Sequence, residues 1–111
     1  MKEKSSFLEV VGSSPKLKVL DFLLTFQAFD YSLTDIAKNT KVSYSNLMIF
    51  WKDLVKIRLV IQTRTVGKAK MYRLNEKNPI VQELSRLQWF IAKSIVHKKY
   101  RLEVITQKIK A

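Results

Sequence analysis

Serine stands at the head of three successive helical segments in this chain, and that spacing constrains the fold more than any other feature. Ser13-Ser14-Pro15 places an N-cap serine before a proline at the first helical position, where the missing N–H costs nothing. Leu17, Leu20 and Leu24 follow on one side with Val19 and Leu23 beside them, which predicts a core helix over 15–27. Ser32 and Asp35 have capping-box spacing, and Leu33, Ile36 and Ala37 supply the buried side of a short helix ending near Asn39. Val42 falls in a turn, and Ser43 caps a longer helix, 44–57, with Leu47, Phe50, Trp51 and Leu54 along one face. A short helix, a tight turn and a longer helix form a helix-turn-helix. Upstream, Ser6 and Glu9 repeat the capping box for a turn or two over Phe7–Val11, stopped by Gly12. Phe29-Asp30-Tyr31 is long enough only for a connection or an edge strand.

After Leu59 the period changes. LVIQTRTVGKAKMYRL is rich in Val, Ile, Thr and Tyr, with Gly67-Lys68 near its middle, and reads as a β-hairpin over 60–65 and 69–74. Asn78-Pro79 then opens a last helix that nothing obvious stops before about residue 108. The expected fold is mostly α with a β-hairpin, in the order α-α-α-β-β-α. Its parts are an N-terminal extension or short helix (1–14), a body (15–78) and a C-terminal helix (79–111).

With 111 residues, the chain is one domain large enough for a core of its own. It has no cysteine and one histidine, His97, which removes disulfides, thiolate metal sites, cysteine nucleophiles and paired-histidine sites. Nine scattered acids and two glycines supply neither a catalytic constellation nor a phosphate-binding loop. No enzymatic activity and no cofactor are expected. No apolar run approaches the roughly 18 residues of a spanning helix, and the N-terminal apolar patch is too short for a signal peptide. A soluble, cytoplasmic protein without a membrane partner is expected.

The net charge of +12 is unevenly placed. Residues 1–55 carry 7 basic and 6 acidic side chains, residues 56–111 carry 14 and 3. Two basic zones, 56–77 (net +6) and 93–111 (net +5), flank a neutral stretch. Such a field attracts a polyanion: nucleic acid, an anionic membrane surface or an acidic partner.

The segments GSSPKLKVLDFLL, SLTDIAKNTKVSYSNL, LVKIRLV and RTVGKAKMYRLNEKNPIVQEL, in that order, resemble the winged helix-turn-helix transcription regulators. The likeness is greatest to the MarR/ArsR-like proteins common in archaea, and it covers about Gly12–Leu84. The resemblance implies that 44–57 is a recognition helix, that 60–74 is a wing, and that the C-terminal helix builds a two-fold dimer.

At 100° per residue, Leu47, Trp51 and Leu54 point inward while Ser45, Met48, Ile49, Lys52 and Lys56 point outward. Tyr44, Ser45 and Asn46 lie in the first turn, where a major-groove helix reaches base edges. Asn46 matches adenine N6/N7, and Met48 or Ile49 a thymine methyl. Lys52 and Lys56 are placed for phosphates. Met48 and Ile49 are apolar where family members often place Arg, Gln or Ser, so packing on the chain itself or on a partner protein is the competing reading. Arg58 stands where the family commonly has glycine, which implies a turn of different shape.

Arg64, Lys68 and Lys70 cluster near Gly67, with Lys56 and Arg73 at the hairpin base. In the resembling family this tip tracks the DNA backbone or enters the adjacent minor groove; lysines kept for solubility are the alternative. In the last helix Ile80, Leu84, Leu87, Ile91, Ile95, Leu102, Ile105 and Ile109 share one stripe, interrupted by Lys98, while Trp89, Val96 and Tyr100 fall elsewhere. The expected dimer interface is Leu84, Leu87, Ile91, Ile95, Leu102 and Ile105; a helix broken near 97–101 and folded back is the rival.

The function expected is selective or semi-selective binding of double-stranded DNA by a homodimer, in transcriptional regulation and associated with the nucleoid. Half-sites would lie about 34–36 Å apart. The alternative is a winged-helix interaction or nucleoid-architectural module with largely non-specific DNA affinity. No effector is assigned by the sequence.

Overall fold

The computed structural model describes the backbone over residues 5–110 and side-chain environments over 5–95. Helices α1 (Ser6–Val11), α2 (Pro15–Thr25), α3 (Leu33–Thr40), α4 (Tyr44–Lys56) and α5 (Pro79–Lys110) surround a three-stranded antiparallel sheet of β1 (Tyr31–Ser32), β2 (Val60–Val66) and β3 (Ala69–Leu74). The strand order is β1-β3-β2.

Serine hydroxyls start the first four helices. The Oγ atoms of Ser5, Ser14, Ser32 and Ser43 accept from the N–H of Leu8, Leu17, Asp35 and Asn46 at 3.1–3.3 Å. Each satisfies one donor that the helix's first turn cannot. For α1 the cap is Ser5 rather than Ser6, one residue before the predicted box. Gly12 ends that helix with φ 100, and its N–H donates to the Leu8 carbonyl. Helix α2 stops at Thr25, two residues short of the prediction. Its end lets Gln27 turn back, with Nε2 donating to the Leu24 carbonyl and to Ser85 Oγ, both at 3.0 Å.

Phe29-Asp30-Tyr31 leads into a true edge strand, with Tyr31 opposite Tyr72 and Ser32 opposite Met71. Ser32 therefore ends a strand and caps α3 at once. The hairpin turns on Gly67 and Lys68, with Val66 opposite Ala69 and Gly67 at φ 61, a conformation only glycine adopts without strain. One bulge interrupts the ladder: Gln62 opposes Tyr72 and Arg64 opposes Met71, leaving Thr63 without a cross-strand partner.

Arg58 takes φ 61, the left-handed conformation that favours glycine, so this turn carries a side chain where glycine is the unstrained residue. The Leu59 N–H donates to the Leu54 carbonyl (2.9 Å) and the Arg58 N–H to that of Val55 (3.0 Å), a Schellman closure. Asn75 and Asn78 hold it from outside: their Nδ2 atoms donate to the Arg58 carbonyl at 3.1 and 3.0 Å. Lys41, at φ 58, closes α3 in the same left-handed way.

The core joins every helix. Val19, Leu23 and Leu24 of α2, Ile36 of α3, and Leu47, Phe50, Trp51 and Leu54 of α4 pack with Leu59, Val60 and Leu74. Val81 and Ile91 of α5 and Phe7 of α1 complete it. Phe7 is 3% exposed, so α1 belongs to the same core. Helix α5 runs unbroken through 97–101.

Candidate nucleic-acid interface

Helix α4 buries one face and leaves the other bare. Leu47, Phe50, Trp51 and Leu54 are buried. At 100° per residue, Ser45, Ile49, Lys52 and Lys56 fall within about 60° of one another on the opposite side, and all four are exposed. Ile49, at 75%, is the most exposed large hydrophobic residue among those described. Tyr44 and Asn46 flank the ridge at its N-terminal end and are also exposed. Met48 is a correction: it is half-buried and packs against the core, because it lies at the border between the two faces, on the edge nearest Trp51.

The sheet register separates the predicted wing cluster. Lys70 alternates with Tyr72 and opposes Thr65, whereas Arg64 opposes Met71 on the other face of the ladder. Tyr72 meets Trp51 edge to face, with ring centroids 5.3 Å apart at 81°, so the Lys70 face is the one turned toward α4. Lys68 stands at the tip.

Ion pairing divides the cations further. Arg64 forks onto Asp30, Nε to Oδ2 at 2.9 Å and Nη2 to Oδ1 at 3.1 Å. Arg73 pairs with Glu76. Among the described residues no lysine is ion-paired, so Lys52, Lys56, Lys68 and Lys70 carry the available charge of this surface. Arg64, expected as a phosphate ligand, instead has its guanidinium on a carboxylate, while its side chain stays 64% exposed. The Arg64 and Thr63 hydrogen bonds hold the Asp30 carboxyl at about 2, well below its usual 3.8.

Three lysines of the helical part escaped notice in the sequence. Lys38 and Lys41 are exposed at the end of α3 and in the turn before α4. Lys16 places Nζ 6.0 Å from the centre of the Phe50 ring on α4. Their signal was diluted by acids that the fold places elsewhere: Asp21 accepts from Ser5 and Gln88, beside α1 and α5, and Asp30 is committed to the wing.

On α5 the predicted partner stripe is in part already used. Ile91 is buried, a correction that follows from α1 and α2 docking on that side, while Leu84 and Ile95 are half-buried against the chain's own core. Leu87 remains 42% exposed, with Ile80 (52%) and Phe90 (64%) on the same flank; Trp89, at 68%, lies on the opposite one. Leu102 and Ile105 lie outside the described side chains. No helix among the described residues is long and apolar enough to cross a membrane. No group of three or more potential metal ligands forms among them.

A helix-turn-helix followed by a hairpin and a long C-terminal helix is the winged helix-turn-helix fold. Solved structures of that fold align with most of the chain. A double-mutant form of Lactococcus lactis ZitR in its apo state superimposes with TM-score 0.64 at 16% identity, over 86% of this chain and 79% of that one. The antimony-specific transcriptional repressor AntR gives 0.59 at 18%, over 82% and 78%. Wild-type ZitR in complex with DNA gives 0.53 at 16%, over 84% and 69%. Neither a family model nor a curated protein matches the sequence.

Proposed function

We propose that this protein binds double-stranded DNA as a homodimer and regulates transcription, with α4 in the major groove and the β2–β3 wing on the backbone beside it. The observation that carries the reading is the uncovered ridge Ser45, Ile49, Lys52 and Lys56, together with unpaired Lys68 and Lys70 on the wing. Tyr44, Ser45 and Asn46 at the start of α4 would meet base edges, and the lysines would meet phosphates, fixing register without reading sequence. Similarity to a ZitR structure solved with DNA and to the repressor AntR supports the same reading. The exposed flank Ile80, Leu87 and Phe90 of α5 is the surface offered to a second copy. Such a protein works in the cytoplasm, on the nucleoid.

Selection from a random duplex pool tests the proposal. It requires enrichment of two similar, inverted half-sites about one helical turn apart. Asn46→Ala should then reduce discrimination between the selected site and random DNA more than affinity for either. A pool that stays random through repeated selection removes the claim of selectivity.

The exposure of Ile49 favours a second reading, a winged-helix module whose α4 face meets protein. Under that reading Ile49→Ala abolishes a stoichiometric protein complex and leaves DNA affinity unchanged.

A further inference from the structure

One carboxylate holds the wing at its bend. Thr63, the extra residue of the bulge, has no partner across the ladder. Its hydroxyl is instead hydrogen-bonded to Asp30 Oδ2 and lies 3.3 Å from the Met71 carbonyl. The next residue, Arg64, uses two nitrogens on both Asp30 oxygens. A bulge bends and twists its strand, and a bidentate arginine–carboxylate pair fixes an orientation as well as a distance. The two devices coincide here. Asp30 immediately precedes β1, and Ser32 of β1 caps α3, so the far end of the grip is rooted in the helix-turn-helix itself. The Asp30 side chain is 14% exposed and that of Arg64 64%.

We propose that Asp30 is a positioning residue for DNA binding: by gripping Thr63 and Arg64 at the bulge it sets the pitch of the wing against α4. Arg64 then acts as the other half of the grip and not as a phosphate ligand. The inference rests on the DNA-binding reading above.

Electrostatics and positioning predict opposite signs, which makes the test decisive. Removing Asp30 deletes a negative charge from a basic region, and charge alone would tighten DNA binding. Loss of the grip would instead let Lys68 and Lys70 swing off the backbone. The assay is fluorescence anisotropy of a 20-base-pair random-sequence duplex with the full chain at low salt. Asp30→Ala and Arg64→Ala should each weaken binding roughly 5- to 10-fold, the double variant should be no weaker than either, and Lys68→Ala should cost less in the Asp30→Ala background, the non-additivity expected of parts of one device. Asp30→Asn, similar in size and still able to accept from Thr63, should also weaken binding while its circular dichroism matches wild type. Tighter binding by Asp30→Ala, or additive losses in the double variant, would overturn the proposal while leaving the DNA reading intact. Failure of the wild-type chain to bind the duplex would overturn both.

Discussion

Trp51 of α4 and Tyr72 of the central strand meet edge to face, their ring centroids 5.3 Å apart. Helix and wing are thus joined by an aromatic contact on the face of the sheet that also carries Lys70. Aromatic pairs of this geometry contribute about 0.5–1.5 kcal/mol beyond area burial. Tyr72→Ala should therefore destabilise the fold by about 2–3 kcal/mol in urea unfolding. A double-mutant cycle with Trp51→Leu should give a coupling of about 1 kcal/mol; a coupling of zero would mean the two rings merely neighbour one another.

The turn after α4 makes two opposite forecasts. Arg58 at φ 61 carries a side chain where glycine is unstrained, so Arg58→Gly should raise stability by up to about 1 kcal/mol. Asn78→Ala should lower it by about 1–2 kcal/mol. That change deletes the Asn78 Oδ1 cap on the Ile80 N–H, at 2.8 Å, and the side-chain bonds to the Ile57 and Arg58 carbonyls. Thermal denaturation of both variants checks the pair.

Acid should leave the wing grip closed far below neutral pH. Arg64 and Thr63 depress the Asp30 carboxyl to about 2 from 3.8. A folded-state pKa below the unfolded one contributes stability that is present above about pH 3.8 and lost as pH falls through 2. A carboxyl-detected NMR titration should place the Asp30 midpoint near 2, and Asp30→Asn should remove this part of the acid dependence. A midpoint close to 4 would show that the grip is open in solution.

The surface of α5 separates assembly from folding. Leu87→Glu with Phe90→Glu should yield folded monomers in sedimentation velocity, because both side chains are exposed in the single chain. Ile91→Glu should unfold the protein, since it puts a charge where the core is closed. A dimer that survives the first pair would move the interface off this flank.

Much of the architecture was legible because it is local. Ser14, Ser32 and Ser43 announce three helices within four residues of sequence, and Gly67 announces the hairpin. What escaped depends on residues far apart in the chain. Nothing near Arg64 signals that Asp30, 34 positions earlier, will take its charge. The same holds for α5, whose stripe is apolar whether it meets α1 and α2 or a second copy, so periodicity alone could not assign Ile91 inward and Leu87 outward. Met48 shows the limit of helical phase: at the border between faces, contact with the core decides.

The salt dependence of duplex binding tests the central claim most directly. Lys52, Lys56, Lys68 and Lys70 are unpaired on the proposed interface. Each phosphate neutralised contributes roughly 0.9 to the slope of log affinity against log salt. Four lysines from one protomer, or eight from two, predict a slope between about −4 and −7 from 50 to 200 mM salt. Affinity that stays constant across that range, or no binding at its low end, would contradict the account.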